Sequence, residues 1–327
     1  MTTPEYIQRG GDLVMAQPLE LKDATMYSFL VGADLDALTK ICDAQLNAVT
    51  GGATVYKPML PMATVVCADI AKSYSLTPPD STKGWMAERD FGIWVPLVAG
   101  TMDGGTFKPD RLVWYLPYVF VDNVAAMVTG RDVFGFFKQT ATLTMPATPT
   151  TEGAFTTDAL VIQTFSPDAQ AQTLQLLEVT STAGVPSPGG GWTSPVKAIE
   201  ALLGDLKRLF FDVVDTALLP LSDWKMVETL LKDAVEGLVP MVFLKQYRDA
   251  TDPGRACYQA VIEAPAKLQA WHDGGLCHPH DVVITPCDSH PIVAECGLAG
   301  PTVRSELGFW TRIDFVMEAG QVIAQRP

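Results

Sequence analysis

Positive charge is scarce in this chain. Lysine and arginine total 23 against 37 aspartates and glutamates, giving a net charge of −14 at neutral pH. A surface of that sign repels nucleic-acid phosphates and anionic membranes, so neither is an expected partner. Nor does it draw in anionic substrates at long range; a local positive centre would have to do so, with Arg131 and Arg89 as candidates. Long apolar runs are missing as well. The most apolar helical stretch, Leu209 to Leu221, is interrupted by Asp212 and Asp215, so no membrane span is expected. Met1 to Gly11 is polar and carries no apolar h-region, which argues against a secretory leader. Cysteine is sparse, with six residues, and without a leader these read as reduced thiols in the cytoplasm. There is no Gly-x-Ser-x-Gly elbow. Gly189-Gly190-Gly191 lacks the strand and the Lys-Ser/Thr pair that a phosphate loop needs.

What is present is a large apolar content, 48% hydrophobic against 18% charged residues, ample for an extended core. Alternating and β-rich runs are expected to be strands at Met26–Val31, Ala63–Ile70, Gly92–Val98, Leu112–Val121, Thr140–Met145, Ala154–Phe165 and Thr173–Val179. After a Pro/Gly-rich loop at Ala183–Pro195, the pattern resumes at Val239–Tyr247, Cys257–Trp271, Asp281–Thr285, Trp310–Met317 and Gln321–Ala324. Helical spacing predicts Asp34–Ala48 with Asp34 as N-cap, a short helix at Asp122–Val128, and two amphipathic helices at Val196–Ala217 and Asp223–Glu236. Pro220 would end the first of that pair, and Ser222 or Asp223 would cap the second. Many strands with a few segregated helices indicate an α+β fold, in one domain over 1–327 with a helical insertion at about 196–238. The apolar faces of the inserted helices would suit a subunit interface, so a homo-oligomer is expected.

All four histidines and four of the six cysteines fall between Cys257 and Cys296. Cys277-His278-x-His280 followed by Cys287-x-x-His290 supplies enough ligands for zinc, but the spacing matches no standard zinc pattern. The other reading is core cysteines and loop histidines, with Asp288-Ser289-His290-Pro291 as a turn.

The most informative stretch is Gly130-Arg131-Asp132-Val133-Phe134-Gly135-Phe136-Phe137-Lys138-Gln139, which sets one lysine after an aromatic run. An ordinary lysine, with a pKa of about 10.4, is neutral at pH 7 in only about one molecule in 2,500. Burial can lower that pKa by roughly 3–5 units, and a neutral amine can attack a carbonyl to form a Schiff base. The alternative is that Lys138 stands at a strand end with its stem on the aromatics and its amine in water.

Leu116 to Lys138 resembles the acetoacetate decarboxylase superfamily, in which a Gly-Arg-Glu turn, an aromatic and a proline precede the Schiff-base lysine. Here Asp132 stands for the glutamate, Phe137 for the proline and Gln139 for a frequent second lysine. Ala33–Ile41 is similar to the family's first helix, Glu88 falls where it has a pocket glutamate, and Asp69 lies in the region of a second acid. The resemblance spans roughly 20–180 and 240–325, with only the Lys138 motif specific. It implies a β-barrel or cone core with peripheral helices and needs no cofactor. It also implies Lys138, Glu88 and Arg131 as catalytic residues, with Asp69 and Gln139 in the substrate pocket; Phe136, from the aromatic run, and Tyr118, on a strand whose alternate positions share a face and otherwise a core residue, are further pocket candidates. One departure matters: the family's first-strand arginine has no counterpart, because the only basic residues between positions 20 and 40 are Lys22 and Lys40. The expected partner is therefore a small keto acid or ketone. Decarboxylation of a β-keto acid, aldol, dehydration or cyclisation chemistry on the same lysine, and ligand binding without chemistry all stay open.

Overall fold

In the computed structural model of the chain, residues 4–9, 12–149, 153–183, 190–213 and 238–326 are described. Seven long strands carry the architecture: β1 (Leu19–Gly32), β3 (Met62–Ser75), β4 (Met86–Asp103), β5 (Thr106–Val121), β9 (Leu238–Arg248), β10 (Ala256–Cys277) and β13 (Leu307–Met317). Their pairings run β5–β9–β10–β13–β1–β3–β4, and β4 pairs again with β5. A branch continues from β5 through β6 (Lys138–Thr144), β7 (Phe155–Val161), β8 (Gln172–Ser181), β11 (His280–Ile284) and β12 (Thr302–Ser305). Two short strands, β2 (Val55–Pro58) and β14 (Gln321–Arg326), pair with β4 and β10. The architecture is sheet-rich with few helices, in keeping with the α+β expectation.

Successive side chains on a strand point to opposite faces, and this sheet uses both. On β4, Phe91, Ile93, Val95 and Leu97 are buried in one core, while Glu88, Asp90, Gly92, Trp94 and Pro96 line a cavity. On β3, Val65 and Cys67 join that core, and Thr64, Val66, Ala68 and Ile70 line the cavity. The chain therefore builds a dry core and a hollow from alternate residues of the same strands.

Helix Leu35–Cys42 begins as expected: the Asp34 carboxylate accepts the Ala37 amide at 2.8 Å, and Leu38 and Ile41 pack into the first core. It does not run evenly to Ala48, but passes through a π turn at Asp43–Asn47. There Asn47 bonds the Tyr56 backbone, accepting its N–H at 2.8 Å and donating to its carbonyl at 2.9 Å, which ties the helix end to β2. Behind it, the buried Glu263 accepts from the Tyr56 hydroxyl at 2.6 Å and from Arg111 Nε and Nη2 at 2.9 and 2.6 Å. That set pairs a buried charge with three donors.

Strand ends shift from expectation. The strand expected at Ala154–Phe165 stops at Val161, and the amide of Phe165 instead donates to Asp288 at 2.8 Å. The short strands β2 and β12 carry too few residues for period-two alternation to stand out. The first inserted helix is Pro195–Val213 among the described residues, with proline at its start, where the lost N–H costs nothing. The second, Asp223–Glu236, lies outside the described residues together with its caps.

Candidate active site

The connection from β5 to β6 is built to deliver Lys138. Asn123 caps helix Val124–Thr129 by accepting the Ala126 amide at 2.7 Å. The helix widens into a π turn at Gly130–Phe134, and the chain then leaves in the left-handed region at Gly135, φ +99°. A Cβ at Gly135 would lie 2.7 Å from Lys245 Cα, so the turn requires glycine on two counts. From the far side the Lys245 amine donates to the Val133 carbonyl at 3.0 Å, and the Tyr247 hydroxyl to the Asp132 carbonyl at 2.9 Å. Strand β6 then starts at Lys138, two residues before the expected Thr140, in parallel register with Val119 of β5.

Lys138 is 6% exposed. Its Nζ lies 3.3 Å from Asp90 Oδ2, 3.6 Å from Glu88 Oε2 and 5.1 Å from the centre of the Phe136 ring. Its stem passes close over Gly130, where a Cβ would sit 2.6 Å from Lys138 Cδ. Glycine is thus needed at 130 for side-chain room rather than for backbone freedom. Arg131 is exposed and reaches the site only through the backbone: Nη1 donates to the Lys138 carbonyl at 3.1 Å, and the guanidinium lies 5.5 Å from the Phe137 ring centre.

The electrostatics differ from the sequence expectation. Burial pulls the Lys138 amine down, but the carboxylates of Asp90 and Glu88 outweigh it and hold its pKa above the ordinary value. Burial pushes Asp90 up to about 7, against the pull of Lys138 and with the like charge of Glu88 adding to the rise. The second oxygen of Asp90, Oδ1, is buried without a hydrogen-bond partner. The site is a buried lysine between two acids, one of which takes up a proton far more readily than an ordinary aspartate.

Asp90 went unnoticed in the sequence, although Glu88-x-Asp90 on a strand puts both acids on one face. Conversely, Asp69, Tyr118 and Gln139 stand on the other face. Asp69 pairs with Arg89 at 3.2 Å and is 39% exposed. The Tyr118 hydroxyl bonds the Glu295 carboxylate. Gln139 Oε1 lies 2.8 Å from His290 Nε2. Phe136 lines the cavity with Lys138, Glu88 and Asp90.

That cavity has a volume of about 400 Å³, within the range of about 300–1,000 Å³ usual for small-molecule sites. Among the described residues, its walls carry three charged side chains, Lys138, Glu88 and Asp90. Of the helix Pro195–Val213, the residues Ala198, Ile199, Leu202 and Leu203 face into it, a surface that the sequence reading assigned to a subunit interface.

The Cys/His stretch is spread out. His272 pairs with Asp314 at 2.8 Å, His280 Nδ1 lies 2.6 Å from the His278 carbonyl oxygen, and His290 sits between Gln139 and Ser289. Among the described residues, no group of three or more His, Cys, Asp or Glu side chains is placed to hold a metal ion. No helix of the described residues is long and apolar enough to cross a membrane.

No known family model and no curated protein matches the sequence. Solved structures do match. Acetoacetate decarboxylase from Legionella pneumophila is similar over 99% of this chain and 93% of its own, with a TM-score of 0.58 at 13% identity. The enduracididine biosynthesis enzyme MppR, in complex with pyruvate, is similar over 96% of this chain and 93% of its own, with a TM-score of 0.58 at 13% identity. An acetoacetate decarboxylase-like enzyme from Sphingomonas wittichii is similar over 96% of each chain, with a TM-score of 0.53 at 11% identity. Along nearly its whole length, the chain therefore shares its fold with acetoacetate decarboxylase and with these decarboxylase-like structures.

Proposed function

We propose that the protein is a cofactor-independent Schiff-base enzyme, a carbon–carbon lyase with Lys138 as its nucleophile. The observation that carries this is the Lys138 amine, buried on the wall of the cavity with Asp90 at 3.3 Å and Glu88 at 3.6 Å. The cyclic run of strand pairings supports the barrel core that the family resemblance implies.

In this reading the Lys138 ammonium passes a proton to Asp90, whose raised pKa narrows the gap between the two groups. The neutral amine adds to the substrate ketone, and the proton now on Asp90 goes to the carbinolamine hydroxyl, so that water leaves and an iminium remains. In a β-keto acid, the bond to the carboxylate then breaks. CO2 departs, and its bonding electrons enter the iminium to form an enamine. Asp90, reprotonated from solvent, gives a proton to the enamine carbon, and water hydrolyses the resulting iminium, releasing the ketone and the Lys138 ammonium. Glu88 keeps the amine oriented, and its negative charge raises the energy of the substrate carboxylate, which assists CO2 loss. Arg131 is a positioning residue, acting through the Lys138 carbonyl.

A second reading uses the same enamine for aldol, retro-aldol or dehydration chemistry. It is favoured by the cavity-facing residues of β1, Leu19, Leu21, Met26, Ser28 and Leu30, which include no cation to hold a carboxylate. MppR was solved with pyruvate, and with the condensation product of pyruvate and imidazole 4-carboxaldehyde, so keto-acid condensation is a chemistry to test on this fold.

Mass spectrometry after borohydride treatment with acetoacetate, pyruvate and a longer β-keto acid tests the proposal. Wild type should gain a reduced adduct on Lys138 and Lys138→Ala none, and the adduct mass shows whether CO2 has left. A folded wild type that gains no adduct from any carbonyl compound would instead be a binding protein.

A further inference from the structure

We infer that the substrate is a carbonyl compound with a long, uncharged, apolar tail, and that small keto acids are not what this cavity is built for. The inference deepens the Schiff-base reading and rests on it for the carbonyl end; the tail rests on the cavity walls alone. Three observations carry it.

The first is reach. On β4 and β5 the cavity wall extends well past the reactive groups. On β4 the lining begins at Met86, two residues before Glu88, and continues through Gly92 and Trp94 to Pro96, six residues beyond Asp90. At about 3.3 Å per residue, that leaves roughly 20 Å of strand beyond the amine. Strand β5 agrees, because its lining runs from Val119, paired with Lys138, back to Leu112. A three- or four-carbon keto acid would fill only the part of the cavity beside the charged groups.

The second is the chemistry of the walls. Beyond the three charged groups they are mostly aliphatic, aromatic and thioether, with Trp94, Trp114 and Trp271 and seven of the chain's twelve methionines. Methionine is unbranched and polarizable, so it shapes itself to flexible apolar ligands.

The third is charge. The one cation among the described lining residues is Lys138 itself, already faced by two acids. A second charge on the ligand, away from the carbonyl, would meet no counter-ion and would be left unpaired in apolar surroundings.

The test uses straight-chain 2-alkanones and the corresponding 3-oxo acids, from five to eleven carbons, beside pyruvate and acetoacetate. Half-saturation for borohydride trapping on Lys138 is measured for each. The matching 2-alkanols, which cannot form a Schiff base, are titrated calorimetrically. Each methylene buried should tighten binding up to about fourfold, the equivalent of about 0.8 kcal/mol. A fall of at least tenfold in half-saturation from the shortest to the longest ketone supports the inference. A flat series, or pyruvate and acetoacetate trapped best, overturns it while leaving Schiff-base chemistry standing. Alkanols that bind with the same length dependence, with no ketone trapped, would keep the tail and remove the lysine chemistry. Thr64→Phe narrows the cavity beside Trp94, its partner on β3–β4, four residues along β4 from Asp90. With its thermal melt unchanged, it should move the preferred chain length shorter. An unchanged length profile in that variant also counts against the tail.

Discussion

Replacing Asp90 with asparagine isolates what controls the Lys138 amine. The substitution keeps the side-chain shape and deletes a negative charge 3.3 Å from Nζ. At an effective dielectric of about 20, that charge stabilises the ammonium by roughly 5 kcal/mol. Glu88, at 3.6 Å, remains and takes up part of the loss, so about 3–4 kcal/mol should reach the amine. At about 1.4 kcal/mol per factor of ten, the neutral fraction of Lys138 near pH 8 should rise about 10²–10³-fold. The assay is reductive methylation by formaldehyde and cyanoborohydride across pH. Peptide mass spectrometry would read Lys138 against exposed lysines of the same chain as internal standards. Wild-type Lys138 should lag behind those standards, since its pKa is held above the ordinary value, and the variant should run ahead of them. Turnover should fall all the same, because the residue that takes and returns the proton is gone. If Lys138 labels at the same pH midpoint in both proteins, or labels in the wild type as a lysine of lowered pKa, the two carboxylates do not govern the site and the reasoning fails.

Other consequences are independent of one another. Gly130→Ala sets a Cβ 2.6 Å from Lys138 Cδ; the stem must swing away, so adduct formation should drop about tenfold or more while far-ultraviolet circular dichroism stays unchanged. Asp90 has a folded pKa of about 7 against an ordinary 3.8. Its protonated form is favoured by the fold, so this contribution to stability is full below pH 3.8 and lost as pH rises through 7, roughly 4 kcal/mol at about 1.36 kcal/mol per unit. Urea unfolding of wild type and Asp90→Asn between pH 4 and 8 should therefore show the variant gaining relative to wild type as pH increases; a constant difference would contradict the burial argument. Arg111→Met strips two of the three donors from the buried Glu263, which should cost about 3 kcal/mol and lower the melting temperature by roughly 4–5 °C without touching Lys138 labelling.

The lysine was legible because one short stretch carried its whole setting. A glycine turn, an aromatic run and the start of a strand converge on residue 138, and a family resemblance fell on the same position. The other pocket residues were read less well for one physical reason. A resemblance aligns positions, whereas on a strand the parity of a position decides which face it meets. Asp69 lies between Ala68 and Ile70, Tyr118 precedes Val119, and Gln139 follows Lys138; each stands one residue from a neighbour that lines the cavity. Asp90 was missed for the converse reason, since it shares parity with Glu88 and was never paired with it. The inserted helix shows a different limit: its periodicity declares an apolar face but not what that face meets, and Ala198, Ile199, Leu202 and Leu203 meet the cavity.

The charge state of the amine lay deepest. Val133, Phe134, Phe136 and Phe137 precede the lysine in sequence as its nearest apolar neighbours. Phe136 does stand beneath the amine, but Phe137 is 54% exposed against Arg131. The groups that oppose desolvation come from β4, where Asp90 lies 48 residues back along the chain. A local window holds the cause that lowers the lysine pKa, and strand pairing across the sheet brings the cause that raises it. The sign of the net shift is thus a property of topology. A desolvated, neutral lysine in the resting enzyme is replaced by an ion pair that must pass a proton internally before it can attack. That makes Asp90, and not the aromatic run, the residue on which reactivity turns.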